Sequence, residues 1–181
     1  MSSSPSRRLP RNLGTYWRME AANVLLVPAA ALYPAFPRTW VQGVVIAIAI
    51  AAPAGFLVVG AFYWRGLDRH LRQNRSAALE TALSIADRVE RPLLWMTVAA
   101  AAGALILLIT QGWSPTLLAA LVLTLLAGLE YINYYHYQLQ HFDNSRDLKR
   151  LLTFRGLKRA HMARNLAVWR DRRSPRKRIT H

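Results

Sequence analysis

Four apolar stretches, at roughly 21–36, 41–63, 92–110 and 115–135, alternate with segments that hold nearly all the Lys and Arg of the chain. A membrane-spanning helix needs about 20 apolar residues at about 1.5 Å of rise each. The second stretch, VQGVVIAIAIAAPAGFLVVGAFY, meets that length outright. The third, PLLWMTVAAAAGALILLIT, is just long enough, and the fourth, PTLLAALVLTLLAGLEYINYY, is long enough but polar at its end. The first, AANVLLVPAAALYPAF, becomes adequate when it starts at Tyr16, with Trp17 and Arg18 as anchors at the membrane interface. The pattern therefore predicts spans at about 16–36, 41–63, 92–110 and 115–135. A competing reading of residues 1–35 is a secretory signal, with a basic start, an apolar run and small residues near Ala29 to Ala31. Glu20 at the head of that run and Pro28 inside it argue against cleavage.

The links between the spans set their order in space. Pro34 and Pro37 close the first pair, and Gly112-Trp113-Ser114-Pro115 closes the second. Links this short force antiparallel neighbours. The fold class read from the sequence is all-α: a polytopic membrane protein with a bundle of four transmembrane helices in two antiparallel hairpins, carrying amphipathic cytoplasmic helices. Gly43, Ala47, Ala51 and Gly55 recur every four residues in span two. Ala99 and Gly103 in span three, and Ala120, Thr124 and Gly128 in span four, repeat the spacing. Such ridges let helix backbones approach closely where lipid supplies no hydrophobic push. The expectation is packing through these faces within the bundle.

Between spans two and three, residues 64–91 read as a cytoplasmic helical loop. Leu79, Ala82, Leu83, Ala86 and Val89 recur at helical spacing, with Glu80, Asp87, Arg88 and Glu90 off that stripe. The bundle domain ends near residue 140. Residues 141–171 read as basic amphipathic helices. Asn144 or Ser145 caps the first, Leu148, Leu151 and Leu152 share its face, and Gly156 stops it. A second short helix carries Met162, Leu166 and Trp169. Residues 1–15 and 172–181 read as disordered basic tails.

The net charge of +15 in 181 residues follows from this topology. With the N-terminus, the 64–91 loop and the C-terminal segment on one side, 23 of the 24 Lys and Arg lie together and Arg38 alone lies opposite. The positive-inside rule then orients both termini to the cytoplasm of an inner (cell) membrane. Nucleic acid is the competing partner for a basic chain. The aromatic residues of the tail are too few and irregular to form a stacking platform. Anionic lipid headgroups fit better, with Arg164, Arg170, Arg172, Arg173, Arg176, Lys177 and Arg178 as contacts. Cysteine is absent, which excludes disulfides and thiolate metal sites.

One constellation carries candidate chemistry. Glu130 sits in an apolar helix and shares a stripe with Tyr134, Tyr137 and His141, beside a stripe of Asn133, His136 and Gln140. Span one repeats the spacing with Glu20 and Asn23. Glu20 lies 16 residues from Phe36, about 24 Å, and Glu130 lies 15 from Pro115, about 22 Å. The carboxylates therefore share a depth, and ionisable groups at that depth face the bundle interior and take partners. Glu20, Asn23, Glu130, Asn133, Tyr134 and His136 form the candidate polar pocket, with Arg18 as a further partner. Two carboxylates with a His could bind a divalent cation, relay a proton or hold a headgroup. They could equally be a polar clamp between helices. No HExxH, Gly-rich phosphate loop or Ser-centred motif accompanies them. No cofactor or resident metal is implied. The reading is a non-catalytic scaffold or partner-docking protein of the inner membrane, and the alternative is a small membrane enzyme or carrier working at the Glu20, Glu130 and His136 pocket.

Overall fold

A computed structural model describes residues 13–139 and 158–174. The described residues form five α-helices: α1 (Leu13–Leu32), α2 (Trp40–Gln73), α3 (Ser76–Gln111), α4 (Pro115–Tyr135) and α5 (His161–Arg173). The starts of α2 and α4 are written locally. The Thr39 and Ser114 side chains accept hydrogen bonds from the N–H groups of Gln42 and Leu117, and Pro115 fills the first helical position.

Helices α2, α3 and α4 are each long and apolar enough to cross a membrane. Their outer faces are apolar. Leu118, Val122, Leu125 and Leu129 form an exposed stripe on α4, and Leu105, Ile106 and Ile109 are exposed on α3. Contiguous apolar surface of this kind is an aggregation liability in water and an ordinary surface in lipid. These helices point to a membrane protein. Helix α1 has 20 residues, about 30 Å. Arg18, Glu20 and Asn23 make its first half more polar, and it does not join the other three as a spanning candidate.

Helices α2 and α3, at 34 and 36 residues, are longer than the sequence spans inside them. At about 51 and 54 Å they exceed a hydrocarbon core of about 30 Å. The expected 64–91 loop is therefore the continuation of both helices, interrupted only at Asn74 and Arg75, where Asn74 takes the left-handed conformation. Gln42 meets Gln111, Gly103 meets Val45, Gly55 meets Leu93 and Gly66 meets Ala78, so the two helices run past each other in opposite directions along their length. At Gly66 the approach is to backbone, and a side chain there would collide with the Ala78 carbonyl.

Two layers of core fill the bundle. One holds Val45, Ile46, Ala49, Ala104, Leu107 and Leu123, and the other holds Phe56, Tyr63, Leu83, Ala86, Tyr135 and Leu166. Leu83 and Ala86 are buried in this second layer, with Leu79 and Val89 packed against it, and Ala82 is buried too, as the periodicity predicts.

The expected small-residue ridge of span two does not form the interface. Ala47 and Ala51 are exposed, as is Ala99, and a side chain added at Gly43 or Gly128 would meet nothing. A step of four residues turns a helix by about 40° beyond a full circle, so the ridge from Gly43 to Gly55 drifts by about 120°. Only its end, Gly55, reaches the partner helix. The buried face of α2 is instead Ala49, Ala52, Phe56, Val59, Tyr63 and Leu67, which mixes steps of three and four and so holds its direction. In the other ridges Gly103 and Ala120 are buried as expected.

Candidate functional site

Helices α1, α2 and α4 bring together one polar cluster inside the bundle. Glu20 on α1 is 6% exposed, Glu130 on α4 is 8% exposed and Tyr134, one turn further along α4, is 3% exposed. The Tyr134 hydroxyl approaches the Glu20 carboxyl without forming an aligned hydrogen bond, and the Glu20 and Glu130 carboxyls lie within electrostatic reach of each other. Opposite them, α2 contributes Gly60. A β-carbon there would collide with the hydroxyl and ring of Tyr134, so the absence of a side chain lets the phenol lie against the α2 backbone.

Glu20 and Glu130, which the sequence sets at similar distances along two helices, come near each other between α1 and α4. Asn133 lies beside Glu130, and its side-chain oxygen accepts a hydrogen bond from the N–H of Leu139. Asn23 is half-buried, about one turn on from Glu20. Two expected partners are elsewhere. Arg18 is exposed and its guanidinium sits 5.5 Å from the centre of the Trp17 ring, which Arg65 also approaches, at 5.4 Å. His136 is exposed, with its ring edge-on to Tyr131 at 5.0 Å. The helical stripe that was to carry Tyr137 and His141 stops at Tyr135. His136 leaves helical geometry, and its carbonyl accepts from the N–H of Ala160 while the N–H of Gln138 donates to the carbonyl of Lys158. His141 and Gln140 lie outside the described residues.

That short backbone pairing returns the chain to the bundle and seats α5 on it. Met162 and Leu166 are buried among Tyr63, Leu67, Leu83 and Tyr135, and Trp169 packs against the same layer. The Asn165 amide donates to the Tyr63 hydroxyl at 2.9 Å, and the Tyr135 hydroxyl donates to the carbonyl of Ala86 at 2.8 Å. Arg170 forks between Asp87 and Glu90 of α3, at 2.5 Å to each. Partial burial works against its charge, but hydrogen bonds to Glu90 and Asp87 outweigh that and lift the guanidinium above its ordinary value. The apolar stripe of α5 thus faces protein, and Arg170 is committed to α3. Among the expected headgroup contacts, Arg164 is half-buried, Arg172 and Arg173 are exposed, and Arg173 lies over the Trp169 ring at 4.3 Å. Arg176, Lys177 and Arg178 lie outside the described residues, as does the helix expected around Leu148, Leu151 and Leu152.

Sequence reasoning missed Gly60, which belongs to no four-residue ridge, and the Arg170 clamp. The clamp had a signal: Asp87 and Glu90 stand three apart on one helix face, opposite in sign to a short helix rich in Arg. No group of three or more His, Cys, Asp or Glu side chains comes together among the described residues. No protein-family model matches the chain, and no curated protein or solved structure matches it either.

Proposed function

We propose that the protein is a four-span, multi-pass protein of the inner membrane, with α1 as the fourth span, α1–α2 and α3–α4 as antiparallel hairpins, and both termini in the cytoplasm. The distribution of 23 Lys and Arg on one side against one on the other supports that orientation. In this reading the molecule is a non-catalytic scaffold. The observation that carries it is the seating of α5 on the projecting ends of α2 and α3 by Arg170, Asn165 and the buried Leu166. This makes a solid helical platform outside the hydrocarbon layer. Its exposed Arg88, Arg91, Arg172 and Arg173 rest against anionic headgroups and present the platform to a protein partner. Photo-crosslinking in cells from position 172 should capture a defined partner, and Arg170→Glu, which repels Asp87 and Glu90, should abolish the capture. An unchanged capture from the variant would remove the docked helix from the function. A reporter active only outside the cytoplasm should be silent after His181 and active after Trp113, and the reverse pattern would overturn the orientation.

A second reading, a small membrane enzyme or carrier, draws on a different observation: Glu20 and Glu130 meet inside the bundle with no Lys or Arg paired to either among the described residues.

A further inference from the structure

Among the described residues, no basic side chain forms an ion pair at the meeting of α1 and α4. Glu20 and Glu130 are both buried, and the described salt bridges all lie elsewhere, at Asp68, Asp87 and Glu90. Arg18, the described basic residue closest in sequence to Glu20, lies over the Trp17 ring. Two polar atoms of this cluster complete no hydrogen bond among the described residues: Oε2 of Glu130, and the hydroxyl of Tyr134, which lies beside Glu20. Tyr134 is almost fully buried, and Gly60 lets it lie there. A buried hydroxyl ordinarily finds a hydrogen-bond partner, and two adjacent buried carboxylates ordinarily find a compensating charge.

We propose that Glu20, Glu130 and Tyr134 together hold a hard divalent cation of the Mg2+ or Ca2+ kind between α1 and α4. The charge selects the class, since two carboxylates are neutralised by one divalent ion. The donors select within it. All are oxygens, cysteine is absent from the chain, and His136 is exposed, with its ring edge-on to Tyr131. Carboxylate and hydroxyl oxygens suit Mg2+, Ca2+ and Mn2+, whereas zinc and copper favour imidazole and thiolate. Two carboxylates and one hydroxyl leave coordination positions for water, which Mg2+ retains readily. The ion ties α1 to α4, two helices that otherwise touch only lightly, because α1 packs chiefly along α2. The proposal deepens the second reading above, since it names what the polar pocket binds.

The test uses the full chain in lipid nanodiscs, stripped with a chelator, with Mn2+ as the paramagnetic probe. One Mn2+ per chain should bind saturably, be displaced by Mg2+ or Ca2+, and raise the unfolding temperature. Glu20→Gln and Glu130→Gln should each abolish binding. Tyr134→Phe should weaken it by about tenfold, the loss expected when one oxygen beside a metal is removed. The Glu20→Gln/Glu130→Gln double variant guards against misfolding: without any ion it should unfold at least as high as stripped wild type and show no shift with Mn2+. Absence of saturable binding, or equal binding by the double variant, overturns the site. So does stabilisation of the stripped protein by acid alone, which would mean that a shared proton balances the pair. Flux is measured separately in proteoliposomes. Mn2+ that binds but does not cross leaves the site standing and removes the carrier reading.

Discussion

Gly60→Ala is the sharpest test of how the polar cluster is built. The new β-carbon would fall inside the van der Waals envelope of three Tyr134 atoms: the hydroxyl oxygen, Cζ and Cε1. Tyr134 cannot swing aside, because it is 3% exposed and enclosed by the core of α2 and α4. Overpacking of this kind costs about 1–3 kcal/mol, and a rigid ring pressed at three atoms belongs at the upper end. Ala gains up to about 1 kcal/mol over Gly in helix propensity, which leaves a net loss of about 1–2 kcal/mol. For a chain of this size that is a fall in unfolding temperature of roughly 2–8 °C. Gly43→Ala is the control. It lies on the same helix, meets nothing within 4 Å and should be neutral or slightly stabilising. The assay is thermal unfolding of both variants in one detergent, followed by intrinsic fluorescence. Pairing Gly60→Ala with Tyr134→Ala should recover part of the difference, since the smaller side chain clears the space. Equal unfolding temperatures for Gly60→Ala and Gly43→Ala would refute the contact, and with it the placement of the Tyr134 hydroxyl beside Glu20.

Three further outcomes follow from the packing. Ala52→Leu should destabilise by about 1–3 kcal/mol because Ala52 is 0% exposed, whereas Ala51→Leu, on the outer face, should cost little; comparing their yields of folded protein in detergent decides between the two faces of α2. Leu166→Ala removes a buried side chain of the α5 contact and should cost about 2–4 kcal/mol, read as faster hydrogen exchange in His161–Arg173 while α3 stays protected. Arg170→Ala should cost only about 1 kcal/mol, because its partners are partly exposed and water already screens the pair. A larger loss would mean that the fork, rather than the apolar stripe, seats the helix.

The alternation of apolar and basic segments was enough to define an all-helical chain with apolar helices of spanning length, because water, lipid and charge act on each residue independently of the fold. The limits of α4, Pro115–Tyr135, coincide with the span read from the sequence, since a Ser-Pro start and a polar end are local signals. The depth match of Glu20 and Glu130 was legible for the same reason: rise per residue is constant along a helix. Direction around a helix axis was not. A four-residue repeat looks like a face on paper but drifts around the cylinder, so Ala47 and Ala51 turned outward while Ala49 and Ala52 were buried. The partners of the carboxylates also depended on tertiary placement. Arg18 was one turn or less from Glu20 in sequence yet lay on an indole ring, and His136 fell just past the end of its helix and turned to Tyr131. Gly60 entered the cluster from a third helix, with no motif to announce it. The apolar stripe of α5 was equally suited to a lipid surface or a protein groove. Only the tertiary structure decided for the groove, because α2 and α3, each about 20 Å longer than a hydrocarbon core is thick, offer Leu83, Ala86 and the Asp87–Glu90 pair for the helix to cover.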